Sequence, residues 1–322
     1  EKIDFDYEKK NQIEIIDQSE TINKFDNNNS LSDLNTAFTN KSFKIVVKQG
    51  YQLKKPLIIY HTTNSNIWSK NINLRLDFEI EKNSSLRLID LFNDTSEKNF
   101  LNIFYNFNLK ENAVLKNYKV DKLENKNIKY SYNNIEQDKN SISETFILSS
   151  GSNFFKNEIN CNLNGEYSSA FVNGILSLNN DKHHEIRTII NHLTENTKSY
   201  QLIKSVLEDG SKAVYQGKIF VNSDAQKTDG YQLSKAILLN KNSEFNAKPE
   251  LEIYADDVKC SHGSASGSLN EDSIFYLMSR GLNYNQSREL LINGFLLDVV
   301  EKITDPEIKN LIKNMIGIKE WI

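Results

Sequence analysis

Two cysteines and three prolines in 322 residues are few. Cys161 and Cys260 lie 99 positions apart (260 minus 161) and form no CxxC pair. That spacing excludes a disulfide-stapled secreted scaffold and a self-contained cysteine-rich zinc site, and it favours a reducing compartment. No apolar run approaches the roughly 18 residues of a membrane-spanning helix. The opening EKIDFDYEKKNQ is charged from its first residue, so a cytoplasmic location is expected. Positive charge is not in surplus either: the net charge is -4 and the pI near 5.9, which gives no overall field for nucleic acid or an acidic bilayer. GxxxxGK[ST], GxGxxG, HExxH and GxSxG are all missing. ATP hydrolysis and serine-nucleophile chemistry are therefore not expected, and no enzyme activity is assigned.

Apolar residues make up 38% of the chain and charged ones 25%, polar for a globular protein but outside the disordered range. Residues 1–40 form a polar entry segment with a short helix expected over Ser32–Phe38, capped by Ser32. From Phe43 onward, short runs such as FKIVV, LRLDFEI, ETFIL and AVYQGKIFV follow one another, broken by Asn, Gly and Ser, which is the pattern of β-strands. A phrase recurs among them: an apolar residue, then Asn, Asp or Gly three positions later, then a new apolar run. It starts at Ile80, Leu109, Leu148, Leu178, Leu207 and Leu239, at steps of 29, 39, 30, 29 and 32 residues. Asn and Gly accept positive φ, and regular recurrence suits coils that stack on their neighbours. A β-solenoid fits this better than an antiparallel sandwich, and the lack of long amphipathic helices between strands argues against a doubly wound sheet.

After Gly267 the pattern becomes helical. Ser268 with Glu271 suggests a capping box, and the helix through IFYLMSR stops at Gly281. A second helix is expected over Asn285–Ile303, and Asp305 with Pro306 opens a third that ends near Gly317. The middle helix carries Leu290, Leu291, Ile292, Phe295, Leu296, Leu297, Val299 and Val300, more apolar surface than one narrow stripe.

Cys260 and His262 are the chain's most compact pair of soft ligands. In an extended strand alternate side chains share a face, so the two project together, with Asp256 two steps further back if the strand is regular. Zinc and iron–sulfur sites normally take four ligands, so two or three here leave a site incomplete. Spacing alone favours a small buried cysteine beside a hydrogen-bonded surface histidine. His183, His184 and His192 in DKHHEIRTIINH match no metal signature and are expected as exposed imidazoles of a polar turn. Cys161 is expected as a buried small hydrophobe. Asp256 and Asp257 are adjacent, which on a strand points them apart and arranges them poorly for the paired-carboxylate chemistry of polysaccharide enzymes.

Three phrases occur in order: AQKTD at 225–229, KPELEIYADDVKCSHG at 248–263 and FYLMSRG at 275–281. With weaker likeness back through residues 192–221, they make this chain closely resemble the SufB/SufD family of iron–sulfur cluster assembly scaffolds of the SUF system. KCSHG at 259–263 looks like the SufD branch of that family. The resemblance implies a right-handed parallel β-helix core, taken as residues 41–267, and a C-terminal α-helical domain, 268–322. The polar segment 1–40 then stands for an N-terminal region reduced relative to the family.

The same resemblance implies a non-catalytic scaffold subunit of a SufBCD-type complex. It would support iron entry and de novo cluster assembly at the interface with a SufB-like partner. A SufC-like ATPase would dock on the C-terminal helices, for which Phe295, Leu296 and Val299 are candidates. His262 is the implied ligand to iron or the cluster, with Cys260 as a second candidate. The cluster would be transient and shared with the partner, and a flavin in the complex is left open. A purely structural adaptor for the ATPase is the alternative reading, and a polysaccharide-acting solenoid the remotest. Pairing of strand edges would also permit a homodimer when the partner is absent.

Overall fold

The structure, a computed structural model, describes residues 11–19, 29–62, 70–92 and 98–318. In chain order its elements begin with β1 (Ile13–Asp17), α1 (Ser30–Phe38), β2 (Lys41–Val47), β3 (Leu57–His61), β4 (Asn71–Ile80), β5 (Ser85–Phe92), β6 (Phe100–Leu109), β7 (Val114–Asp121) and β8 (Ile128–Gln137). They continue with β9 (Ile142–Ser149), β10 (Phe154–Leu163), β11 (Ser169–Leu178), β12 (His183–His192), β13 (Lys198–Leu207), β14 (Lys212–Val221), β15 (Thr228–Leu238), β16 (Glu244–Ile253) and β17 (Val258–Gly267). Three helices close the described chain: α2 (Glu271–Ser279), α3 (Tyr284–Val300) and α4 (Pro306–Met315). None of the described helices is long and apolar enough to cross a membrane.

From β2 onward, successive strands go alternately to two sheets. One runs β1-β2-β4-β6-β8-β10-β12-β14-β16 and the other β3-β5-β7-β9-β11-β13-β15-β17. All pairings are parallel except β1 with β2. Each coil therefore passes once through each sheet, which makes a parallel β-solenoid and excludes the antiparallel sandwich. The register gives the length of a coil directly. Asn71 sits opposite Phe100, Phe100 opposite Ile128 and Ile128 opposite Phe154, steps of 29, 28 and 26 residues.

The recurring turn phrase proves to be two series. Ile80 and Leu109 end strands of the first sheet, whereas Leu148, Leu178, Leu207 and Leu239 lie at the corner leaving the second. The irregular step of 39 residues is the jump from one corner to the other. Asn83, Asn112, Asp181 and Gly210, each the fourth residue of its phrase, have φ of 57, 58, 58 and 74°, as the turn chemistry requires. Gly151 does not have positive φ; a Cβ there would lie 2.4 Å from the Leu123 carbonyl oxygen, so close approach of neighbouring coils selects that glycine.

The entry segment carries more structure than its polarity implies. Residues 1–10 and 20–28 lie outside the described residues, but Ile13 and Ile15 alternate in β1 and pack against the core. The N-cap of α1 is Asn29, whose side chain accepts from Leu31 N and Ser32 N, rather than Ser32. Asn102 fixes this helix to the first sheet by donating to the Leu31 carbonyl at 2.8 Å.

Inward side chains from both sheets stack coil upon coil into an apolar core that includes Phe78, Tyr105, Phe107, Leu115, Ile159, Leu176 and Ile203. On the outward face of the first sheet an asparagine ladder crosses the coils. Asn134 donates to Asn106 at 3.1 Å, Asn160 to Asn134 at 3.1 Å, and Asn191 to Asn160 at 3.2 Å. Such a ladder holds neighbouring coils in register, because a slip of one residue would break every rung.

The interior is not wholly apolar. Asp90 is fully buried and accepts hydrogen bonds from Lys119 at 2.7 Å and Tyr105 at 2.6 Å, with His61 Nε2 at 2.5 Å. Burial opposes its ionisation, but Lys119 and His61 outweigh that and hold the carboxyl below the usual range. A second buried ion pair joins Lys129 to Asp121 at 3.0 Å.

His184 and His192 point inward from β12 and are fully buried, so the expectation of exposed imidazoles is wrong for both. Only His183, at the outward position, is partly exposed. Their partners explain the burial. His184 Nε2 lies 2.8 Å from the Ser152 carbonyl and must donate to it, leaving Nδ1 to accept from Ser149 at 2.7 Å. His192 is held by Thr197 and Ser199 at 2.7 and 2.8 Å. Both imidazoles are satisfied while neutral, and burial pushes both pKa values down to about 4 from an ordinary 6.5. The folded state thus binds fewer protons than the unfolded chain between these values. Stability is expected in full above about pH 6.5 and to be lost as pH falls towards 4, by on the order of 3 kcal/mol per histidine. Urea unfolding across that range tests it: replacement of either histidine by glutamine should flatten the pH dependence.

The C-terminal helices lie on the outward face of the second sheet. Leu296, Val299, Val300, Ile303, Ile308 and Ile312 pack with Ile89, Tyr118, Val120, Phe146, Leu148, Ile175 and Val206 in a second core. Polar straps fix the same contact: Lys204 reaches the Phe295 carbonyl at 2.6 Å and pairs with Asp298, Arg288 pairs with Glu208, and Arg87 meets Asp305 at 2.9 Å. The N-cap of α2 is Asn270 rather than Ser268, and α3 begins at Tyr284 behind a capping box of Asn283 and Gln286. Asp305 caps α4 with Pro306 in its first turn, as expected. Gly281 and Gly317, with φ of 99 and 76°, follow the C-caps of α2 and α4.

Candidate functional site

The solenoid ends at β16 and β17, the last strands of their sheets, and neither has a strand on its outer side among the described residues. Pro249 marks β16 as an edge, since proline cannot complete a central ladder. Cys260 and His262 both lie on β17, with Cys260 opposite Gly230 and His262 opposite Gln232 of β15. Gly230 and Gln232 are buried inward positions, so Cys260 and His262 continue two inward rows onto the exposed edge. Cys260 is half-buried and packs beside Ile219, Val221, Ala225 and Ala255, whereas His262 is exposed.

Glycine at 230 makes room for the sulfur: a Cβ there would stand 3.3 Å from Cys260 Sγ. Burial raises the Cys260 pKa, a hydrogen bond from the Gly230 backbone opposes that, and Asp229 adds to the rise. The thiol is therefore held protonated, and binding a metal ion here must release a proton.

Asp256 does not join this pair. Asp256 and Asp257 occupy the bend between β16 and β17, because KPELEIYADDVKCSHG is two strands around a corner rather than one. Among the described residues no group of three or more His, Cys, Asp or Glu side chains is placed to hold a metal ion. Cys161 is buried on β10 and donates to Gln137 Oε1 at 3.2 Å; burial pushes its thiol pKa up. His183, His184 and His192 belong to β12, two coils from the end, and His183 faces outward, away from the two buried rings.

The docking candidates occupy a different environment from the one their apolarity implies. Leu296 and Val299 are 3% and 0% exposed, covered by the second sheet, and Phe295 is partly buried with Lys204 Nζ 4.4 Å from its ring centroid. Their apolar surface is already used within the chain. Exposed large apolar side chains of the helical region include three on α2, where Phe275, Tyr276 and Met278 are 73, 56 and 44% exposed. The earlier signal for this was the contiguous apolar run in strands such as ETFIL, which implies that both faces of that sheet are covered.

The family described as SUF system FeS cluster assembly, SufBD core domain, matches residues 60–295. The iron–sulfur cluster assembly protein SufD of Escherichia coli is 30% identical over 85% of this chain and 65% of its own length. An iron–sulfur cluster assembly SufBD family protein of Synechocystis is 28% identical over 87% of this chain and 64% of its own. The chloroplastic protein ABCI7 of Arabidopsis thaliana is 28% identical over 92% and 64%. The chain thus spans slightly less than two thirds of the length of these relatives.

Proposed function

Because this chain belongs to the SufBD core family of the SUF iron–sulfur cluster assembly system, with SufD-type relatives, we propose that it is a non-catalytic scaffold subunit on which a nascent cluster is built together with a second, SufB-like chain. The observation that carries this reading is the position of His262: an exposed imidazole two residues after a half-buried thiol, facing inward on the terminal strand, whose outer edge has no neighbour among the described residues. A neutral imidazole and a thiolate both suit iron. Two ligands are too few for a stable site, so the remaining ones come from the chain that adds its own strands to β16 and β17. The cluster is then the transient cargo of a shared interface. A flavin, where the complex holds one, belongs to that wider assembly.

The C-terminal helices offer a place for a SufC-like ATPase, which supplies the nucleotide chemistry that this chain has no phosphate loop to perform. With Leu296 and Val299 buried, the exposed side chains of α2 are the contact proposed in their place. Replacing Phe275 and Met278 together by serine is expected to abolish co-purification of the ATPase and leave the thermal unfolding midpoint within about 2 °C, because neither side chain supports the core. Retained ATPase binding would place the contact elsewhere. The scaffold reading is tested by co-expression with SufB-like and SufC-like proteins from the same source, followed by iron and acid-labile sulfide analysis. Recovery of a cluster that needs this chain supports it. Equal cluster content without the chain would overturn it.

A further inference from the structure

Inward positions of the second sheet line up in register from coil to coil. One row runs Leu57, Leu88, Asn117, Thr145, Val172, Gln201, Gln232 and His262. Its first two members and Val172 are aliphatic, so the position itself accepts hydrocarbon. Yet Asn117, Thr145, Gln201 and Gln232 are at most 2% exposed, and each has a side-chain atom with no protein partner. These atoms are both amide atoms of Asn117, Oγ1 of Thr145, Nε2 of Gln201 and Oε1 of Gln232. Facing them from the first sheet, Asn133 and Asn157 are bonded to each other at 2.9 Å but leave Asn133 Oδ1 and Asn157 Nδ2 unpaired.

The two glutamines are anchored by their other amide atom: Gln232 Nε2 donates to the Glu250 carbonyl at 3.4 Å. Gln201 Oε1 accepts from Thr188 at 2.5 Å and Tyr215 at 3.1 Å, which fixes the amide and leaves Nε2 on its free side. Unpaired amides and hydroxyls in a dry interior are strongly unfavourable, and buried waters with two to four polar partners are the usual remedy. The spacing suits that remedy: neighbouring coils stand about 4.8 Å apart, so one water between two rungs can bond to both.

We propose that the Asn117–Gln232 row is a water-binding file inside the solenoid that opens at its end beside His262. The ligand is water, held by three amides and one hydroxyl and interrupted at Val172. If the scaffold reading above holds, the file keeps the inward side of His262 hydrated when a partner chain covers its outer side. The file itself stands on the unpaired atoms alone.

A crystal structure of the full chain at a resolution that shows water, together with the Thr145→Val variant, tests it. The substitution keeps shape and removes one hydroxyl. Ordered waters within hydrogen-bond distance of Thr145 Oγ1, Gln201 Nε2 and Gln232 Oε1 are expected, and Thr145→Val should lose its water and lower Tm by about 2 °C or more. In a dry interior the same substitution would relieve an unpaired hydroxyl, so an unchanged or raised Tm overturns the proposal. Absence of water at these atoms in the wild-type crystal overturns it as well. Neither readout involves iron or sulfide, so the water file and the cluster role of His262 fail or stand separately.

Discussion

Replacing His262 by alanine is expected to leave the assembled complex intact and to lower the iron and acid-labile sulfide recovered with it by about tenfold or more. Loss of a partner outside the ligand shell already costs a metal site roughly 10- to 100-fold, and loss of a ligand should cost no less. The variant should fold normally, because His262 is exposed on an edge strand and contributes nothing to the core. Cys260→Ala is a weaker test, since the thiol is half-buried among aliphatic side chains and its removal also disturbs packing. The Cys260 thiol would have to lose its proton to bind iron, so cluster content should fall on acidification even in the wild type. Iron and sulfide unchanged in the His262→Ala complex would remove His262 from the ligand set and favour the reading of this chain as an adaptor for the ATPase.

Replacing Asp90 by alanine is expected to destabilise the fold by about 3–5 kcal/mol, because it leaves the Lys119 ammonium buried without its counter-charge. Tyr105 would lose its acceptor at the same time, and His61 its carboxylate. The loss should be strongly non-additive: Asp90→Leu combined with Lys119→Met removes both charges and should recover most of it. Chemical denaturation of the two single variants and the double variant gives the coupling directly. Additive effects would mean that the pair is not a unit. The acid limb follows in sign, since the Asp90 pKa lies below its unfolded value. Its contribution is present above about pH 4 and disappears as pH falls through the folded value, below the window in which His184 and His192 act.

The solenoid was legible in the sequence because its signal is repetition, and repetition survives loss of any single copy. Its corners were only half legible: the phrase that announces a turn occurs at both corners, and a linear reading merges them into one series with an irregular step. Strand alternation puts His183 and His184 on opposite faces, but it does not say which side faces inward. The buried partners Ser149, Thr197 and Ser199 that make His184 and His192 interior residues come from neighbouring coils or from around the corner. Helical periodicity likewise found α3 without showing what it faces. Leu296 and Val299 pack in one cluster with outward residues of strands 90 or more positions earlier. The pair Cys260 and His262 was visible by spacing, and its place on the last strand was not, because an edge is defined by what fails to follow it. Capping residues were misplaced by two or three positions where several Ser and Asn compete, as at Ser268 and Asn270.

The antiparallel first strand has a consequence for how many copies can join. A solenoid with two equivalent parallel edges could add units head to tail without limit and form a fibre. Here β1 runs against β2, so the first sheet cannot be continued in parallel from that side. The opposite end, at β16 and β17, can still take one neighbour. Among the described residues the two ends of the first sheet are therefore unlike, one an antiparallel strand and the other a parallel edge at β16, so stacked copies would not repeat the pairing found within the chain.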